Sequence, residues 1–317
     1  MSGNNVKILL DGIPLIDRGA TKQSLSQLDV NSIERVEIVE GPMSVVYGTD
    51  ALAGVINIIT KKGDGYSEEN TWRVGARVQE ESMGKEYDFF KDKGLHNESI
   101  DLGFNHKSGL FVNGGYTRNN HGGWQGDLTG REKRWHPKDQ ALMNGMFGFQ
   151  NRNMNVWYRL DFLDEKIFGP NNGSELQPEK VSDKDFLTKR YTHQLQSDWK
   201  LDNRLDVHAA LSYQDYKRRT RTTESDLSTG EKWLSSAEAS QDITQYKAWI
   251  ARATVAWNIA PEFSVQPGVE YQWTQGEGGR IDGTPKVSDL AFFLSAEYKP
   301  WEWLSLRPGV RTFIVAD

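Results

Sequence analysis

The chain of 317 residues contains no cysteine, so neither a disulfide framework nor a thiolate metal site or cysteine nucleophile can be built from it. No run of eighteen apolar residues occurs, which excludes a transmembrane helix. The net charge of -6 is mild and leaves no basic footprint for nucleic acid. Met1 to Val6 has neither a basic start nor an apolar stretch, so it is not a secretion signal. Patterns for catalysis are missing too. The six histidines, His96, His106, His121, His136, His193 and His208, show no metal-binding spacing, and no Walker-type phosphate loop or nucleophile elbow is present. The chain reads as a non-enzyme, with no catalytic residue, metal or cofactor expected.

Aromatic residues are plentiful: 11 Trp, 11 Tyr and 13 Phe. Such an inventory suits carbohydrate-binding modules and β-sandwiches, and equally transmembrane barrels with aromatic girdles at both interfaces. A mean hydropathy of -0.66 would fit a soluble protein. It does not exclude a barrel, because only the lipid-facing half of each strand must be apolar.

From Trp72 onward the sequence alternates. Trp72, Val74, Ala76 and Val78 alternate with Arg73, Gly75, Arg77 and Gln79; Ile100, Leu102 and Phe104 alternate with Asp101, Gly103 and Asn105. Leu205, Val207, Ala209, Leu211 and Tyr213 likewise alternate with Asp206, His208, Ala210, Ser212 and Gln214. About eleven such runs occur, each of roughly ten residues, the length a tilted strand needs to cross a bilayer. Short turns at Lys107-Ser108-Gly109, Asn151-Arg152-Asn153, Asp202-Asn203, Ala260-Pro261-Glu262 and Pro300-Trp301-Glu302 trade places with long polar loops at 83–96, 119–139, 164–186, 218–241 and 275–285. Short turns on one side and long loops on the other are how outer-membrane barrels are built. An odd strand number leaves two edges that hydrocarbon does not tolerate, so the sequence is expected to be a piece of a longer protein.

The first sixty residues follow another pattern. Val6 to Leu10 is a buried-type strand closed by Asp11-Gly12, a turn dipeptide, with Pro14 after it. Ile33, Val36 and Ile38 are interspersed with Glu34, Arg35 and Glu37 until Gly41-Pro42 stops the run. Tyr47-Gly48 is a turn, and Gly54-Val55-Ile56-Asn57-Ile58-Ile59-Thr60 is apolar except for Asn57 and Thr60, as in a strand packed on both faces. In order, these segments resemble the "DG-x-P", "SIERVEI-x-x-GP" and "YG-x-x-A-x-x-GVINI-x-T" motifs of the plug domain of TonB-dependent outer-membrane receptors.

That resemblance implies an all-β membrane barrel, here about 11 of 22 antiparallel strands, with a partial α+β plug at the N-terminus. The implied division is residues 1–65 for the C-terminal part of the plug and 66–317 for the N-terminal half of the barrel. The implied function is binding and TonB-energised import of a scarce nutrient, a ferric siderophore, haem or cobalamin, in the outer membrane of a Gram-negative bacterium. The implied partners are the TonB complex, the small-molecule nutrient and outer-membrane lipid or lipopolysaccharide, with a monomeric barrel and room for a surface lipoprotein. Two alternatives remain: a truncated, non-transporting receptor remnant and a soluble, aromatic-rich ligand-binding β-protein.

For ligand binding, the glycine-rich loop from His121 to His136 offers His121, Trp124, Arg131, Arg134, Trp135 and His136, since aromatics beside cations can stack on flat or anionic ligands. Trp124 and Trp135 also suit an outer aromatic girdle. The run Lys217-Arg218-Arg219-Thr220-Arg221 is expected just beyond a strand, where it could meet lipopolysaccharide phosphates. By resemblance, charged plug residues such as Glu34, Arg35, Glu37 and Glu40 would pair with wall residues such as Arg73, Arg77, Arg159 and Asp161.

Overall fold

Two β-sheets organise the chain. The computed structural model describes residues 6–15, 25–40, 44–48, 51, 53–62, 69–89, 92–278, 281 and 283–316. The smaller sheet contains β1 (Val6–Leu10), β2 (Ile13–Pro14), β3 (Ile33–Glu40) and β4 (Gly54–Thr60) in the order β2-β1-β4-β3. A one-turn helix, α1 (Ser44–Tyr47), lies between β3 and β4.

Asp11 and Gly12 both take positive φ, 50° and 80°. A two-residue primed turn demands that of both central residues, which is why Asp-Gly links β1 to β2. β4 is the inner strand, parallel to β1 and antiparallel to β3. Its Val55 packs with Leu9 and Ala51 in a buried cluster capped by Tyr47. Gly54 stands at φ 142°, where a Cβ would strike the Val39 carbonyl, so only glycine admits β3 this close. Asn57, the polar exception of the run, staples the sheet: its Oδ1 accepts from Gly12 N at 2.9 Å and its Nδ2 donates to Glu37 Oε2 at 3.2 Å. Gly41 and Pro42 lie outside the described residues.

The larger sheet runs through β5 (Thr71–Glu81), β6 (Leu95–Asn105), β7 (Leu110–His121), β8 (Lys138–Gln150), β9 (Met154–Gly169), β10 (Lys180–Lys200), β11 (Leu205–Asp226), β13 (Ile243–Ala260), β14 (Phe263–Gly278) and β15 (Lys286–Trp301), every neighbour antiparallel. The short β12 (Lys232–Leu234) folds back on β11. β16 (Leu304–Leu306) and β17 (Gly309–Ala316) both pair with β15 and form one interrupted strand. Pro308, which has no amide hydrogen to give the ladder, marks the interruption. The path therefore holds the eleven crossings that alternation suggested.

The strands are longer than their alternating apolar runs. β10 has 21 residues and β11 has 22, so about half of each expected loop, 164–186 and 218–241, is strand. Alternation of apolar and polar residues marks only the portion that faces hydrocarbon. The backbone ladder does not need it and continues past the apolar band.

The two faces of this sheet are reversed relative to a water-soluble fold. Residues on the outer face are apolar and exposed, as with Trp72 at 77% and Val74 at 71%, whereas Gln140, Thr192, Gln194, Gln196 and Gln214 on the inner face are buried. Aromatic pairs line the outer face near the long-loop side, Phe162 with Tyr191 at 4.8 Å and Tyr213 with Trp249 at 4.7 Å. Phe263 with Tyr298 and the stacked Trp301 with Trp303 sit at the short-turn side. An apolar belt between two aromatic rows is the surface a bilayer selects. No described helix is long and apolar enough to cross a membrane.

Candidate functional site

The small sheet sits against the inner face of the large one, and their junction is built from amides. Wall glutamines donate to backbone carbonyls of the small sheet: Gln196 to Asp11 O at 2.8 Å, Gln214 to Pro14 O at 2.8 Å, Gln140 to Ser26 O at 2.9 Å and Gln194 to Leu10 O at 3.4 Å. Arg190 adds a bond to Gln27 O at 2.9 Å, and Gln27 Nε2 donates to Glu165 Oε1 at 2.8 Å. Every second residue of a strand faces inward, which places Gln194 and Gln196 in one row. Among the described residues, the buried apolar cluster that spans both sheets is small: Ile13 with Ala210 and Ile250.

A charged seat holds α1. Glu270 on β14 accepts from Arg252 of β13 at 3.0 Å and from Arg311 of β17 at 2.7 Å. Both arginines donate onward to Val46 O, at 3.0 Å and 3.3 Å, while Lys7 Nζ donates to Tyr47 O at 2.6 Å. The last carbonyls of a helix lack partners within it, and cations satisfy them here. The Arg252 guanidinium also lies 4.8 Å from the Tyr47 ring.

Among the described residues, the charged groups expected to pair between plug and wall make their ion pairs within their own sheet, while Arg159 Nη2 also donates to Ser32 Oγ of the plug at 3.4 Å. Arg35 is engaged by Glu34 and Glu37 of its own strand, each at 2.9 Å, Arg159 by Asp161 at 2.6 Å and Arg73 by Asp101 at 3.7 Å. Arg77 bonds Gln79 at 2.5 Å and reaches Asn31 of the plug at 3.3 Å. Residues two apart on a strand share a face, so Arg35–Glu37, Arg77–Gln79 and Arg159–Asp161 close locally at less entropic cost than a distant contact, and Arg73 meets Asp101 on the neighbouring strand.

Two plug carboxylates lie beneath the wall, Asp11 buried and Asp29 half-buried. Asp11 accepts from Thr60 N at 3.0 Å and Thr60 Oγ1 at 2.7 Å, with Lys62 Nζ at 3.7 Å. Burial nevertheless pushes its carboxyl above the usual carboxylate range, against the opposing pull of Lys62, Arg159 and the Thr60 bonds. Asp29, held by Thr117 and Asn31, is raised for the same reason. A raised folded-state pKa penalises the folded plug while the group is ionised. The penalty fades as pH falls through that pKa and vanishes below the unfolded value, where both states are protonated. Asp11→Asn keeps the shape, and its amide can donate to the Thr60 hydroxyl. Denaturant titrations in detergent should therefore show wild type gaining stability relative to Asp11→Asn between about pH 7 and pH 4. A constant difference across that range would contradict the burial argument.

The proposed loop residues are brought together, but chiefly with one another. Trp124 and Trp135 exchange backbone hydrogen bonds of 2.9 Å and 3.0 Å and their tilted rings meet at 5.5 Å, making a small hairpin, with His121 at 6.0 Å from Trp135. Arg131 grips Asp183 through two bonds of 2.9 Å and 2.6 Å, and its N–H donates to Asn172 Oδ1 at 2.7 Å, so it ties this loop to the 170–179 loop. Arg134 pairs with Asp127 at 2.9 Å, and His136 is exposed beside Gly169. Arg131→Ala should cost about 1 kcal/mol of local stability. Limited proteolysis within 122–135 and 170–179 should then accelerate roughly five-fold; unchanged rates would show the clasp to be idle.

Sequence reasoning missed the inner wall above the seat. Lys138 shares its face with Gln140, Phe186 with Arg190, and Arg218 with Gln214; Arg218 stacks over Phe186 at 4.6 Å. The basic run lies inside β11 rather than beyond it, and alternation sends Arg218 inward and its neighbours outward. Polar residues at every second strand position were the available signal for both the seat and this wall. Of the remaining histidines, His208 bonds Asp198 at 2.6 Å beside a cavity of about 540 Å³ near the short-turn end.

Comparisons agree with this arrangement. The TonB-dependent receptor plug domain family matches residues 1–55. The vitamin B12 transporter BtuB of Vibrio vulnificus (strain CMCP6) is 41% identical over 75 residues, 24% of this chain and 12% of that protein. A variant of the ferric enterobactin receptor of Pseudomonas aeruginosa superposes with a TM-score of 0.65 at 14% identity, over 98% of this chain and 50% of that one. The siderophore receptor PirA of Pseudomonas aeruginosa gives 0.64 at 14% identity, over 99% and 48%. The chain thus spans about half the length of these structures. With a plug sheet seated on the inner face of an antiparallel sheet of barrel type, residues 1–55 match the plug domain family of TonB-dependent receptors and the chain shares the fold of these solved receptors.

Proposed function

We propose that this chain is the plug-and-wall region of an outer-membrane receptor that binds a ferric siderophore and imports it with energy from the TonB complex, haem and cobalamin being the other nutrients to test. The observation that carries the reading is the chemistry of the plug seat. Neutral amide-to-carbonyl bonds are each worth a net ~0.5–1.5 kcal/mol, and water replaces them when they break. Together with the charged Arg252–Glu270–Arg311 seat under α1, they leave only the small Ile13–Ala210–Ile250 apolar cluster between the two sheets among the described residues, so the plug can be pulled aside without exposing a large apolar core.

The relatives are transporters and receptors rather than enzymes, one for vitamin B12 and two for iron chelates. The siderophore is favoured because Lys138, Phe186 and Arg218 above the seat offer cations and an aromatic face to a flat anionic chelate. The plug would end near residue 65 and the barrel begin at 66, in an outer membrane whose lipopolysaccharide surrounds a monomeric wall.

Growth rescue with the complete gene, in a strain lacking its own receptors and limited for iron, haem or cobalamin, tests the reading. Rescue by a siderophore that Arg218→Ala weakens is the expected result. Absence of rescue under all three limitations would overturn transport, and binding without rescue would leave a non-transporting receptor.

A further inference from the structure

The loop between β5 and β6 closes over a histidine that ligand binding leaves unused. His96 stands opposite Glu80 on the outer face, at the long-loop end of both strands, and is only 2% exposed. Two residues of the 82–94 loop cover it: the Tyr87 ring lies 6.1 Å from the imidazole, and the Lys93 carbonyl oxygen lies 3.1 Å from Nε2. Nδ1 faces Glu80 Oε2 at 2.7 Å, and the same oxygen accepts from the Tyr87 hydroxyl at 3.0 Å. The loop also leans on its neighbour. Gly94 O accepts from Gly122 N at 2.9 Å, and a Cβ on Gly84 would touch the Trp124 indole.

Both ring nitrogens of His96 therefore face acceptors. A carbonyl oxygen can only accept, and a carboxylate oxygen that takes the Tyr87 hydroxyl proton accepts from Nδ1 as well, so each nitrogen must carry a hydrogen. That species is the imidazolium. A neutral ring has a single N–H, which stays with the charge-assisted bond to Glu80 and leaves a lone pair on Nε2 pointing at the Lys93 carbonyl. Two acceptors then face each other at 3.1 Å in a site closed to water.

The groups around the pair do not take over the role of the proton. Glu98 lies two residues along the same face, and Arg118 opposite it is paired with Asp139 at 3.4 Å. Asn120, directly across from His96, is neutral, and Asp88 reaches Lys93 O through its backbone N–H at 3.0 Å. Tyr87 stays a donor, its phenol pushed above the usual range by desolvation first and by the Glu80 hydrogen bond second.

We propose that His96 is a pH-sensitive latch: protonated, it fastens the 82–94 loop and steadies the Trp124–Trp135 hairpin beside it, and loss of the proton frees both. Only the protonated ring fits, so the hold is complete at low pH and is lost as pH rises through the range in which histidine gives up its proton, about pH 5 to 8. The latch acts on the hairpin that carries the candidate ligand residues, whatever nutrient the receptor takes.

Hydrogen exchange of the purified chain in detergent, corrected for the intrinsic rate at each pH, tests the latch without any ligand. Protection over residues 83–94 and at Gly122 should fall on the order of 10-fold between about pH 5.5 and about pH 8.5. Residues 170–179, tied by Arg131 to Asp183, should change little. Glu80→Gln separates the latch from simple packing: its amide can donate to a bare Nδ1, which leaves the Nε2 hydrogen on the Lys93 carbonyl, so protection should stay high at both pH values. His96→Gln should give low protection at both. Wild-type protection that does not change with pH, His96→Gln that keeps the wild-type pH dependence, or Glu80→Gln that loses protection at high pH as wild type does each overturns the latch. Growth rescue by no nutrient would overturn transport and leave these exchange results standing.

Discussion

Replacing Glu270 with alanine is expected to unseat α1 and to cost about 3–5 kcal/mol, the range for removing one member of a buried ion cluster. Glu270 and Arg252 are almost wholly buried, and Arg311 nearly so. The carboxylate is the anion both guanidiniums share. Without it two like charges remain in a site of low dielectric, against the Phe293 ring at 5.1 Å and 5.5 Å and the carbonyl of Val46. Truncating an arginine in the same background removes part of that repulsion. Arg252→Ala/Glu270→Ala should therefore be less destabilised than the sum of the single variants. Glu270→Gln keeps an acceptor and should fall between wild type and alanine.

Denaturant melts in detergent measure the global cost, and hydrogen exchange over residues 44–60 locates it. If exchange there matches wild type in Glu270→Ala, the cluster does not hold the plug.

Trp157→Ala should lose a comparable ~3–5 kcal/mol, for reasons of packing. Trp157 is fully buried on the inner face of β9 in a cluster with Phe111 and Met146. Its cross-strand partner is Gly148, where a Cβ would run into the Val156 carbonyl, the Phe111 ring and the Trp157 Cβ, so the glycine lets β8 and β9 close over this cluster. The indole also supports the end of the plug: Lys62 Nζ lies 4.8 Å from its ring and reaches Asp11 from the other side. The indole N–H has no hydrogen-bond partner among the described residues. Trp157→Phe therefore loses volume but also sheds an unpaired donor, and should cost roughly 1 kcal/mol. Thermal or denaturant midpoints for the two variants check this. Similar losses for alanine and phenylalanine would show that the site relaxes freely and that packing is not what matters.

Much of this architecture was legible before any coordinates. The eleven crossings and all five short turns came from period-two alternation and turn dipeptides, signals confined to a few consecutive residues. The same holds for the Asp11-Gly12 turn and the inner strand around Asn57. Strand length was underestimated because β10 and β11 keep pairing where their outer faces turn polar. The loop from His121 to His136 offers candidate ligand-binding residues in the sequence, and the structure adds that Arg131 is tied to Asp183, 52 residues away. Nothing in the loop itself announces that partner.

The sequence by itself determined the strand period, the turn sites, the apolar outer face and the plug motifs, because each depends on residues adjacent or two apart. The tertiary structure alone decided which side chains seat the plug. Gln214 meets Pro14 across 200 positions and Arg252 meets Val46 across 206. Such meetings follow from register, which sets Arg252 opposite Glu270, and from docking of the small sheet against the wall. A shift of one residue in any strand would turn these polar groups toward lipid, where an unpaired charge or amide is costly.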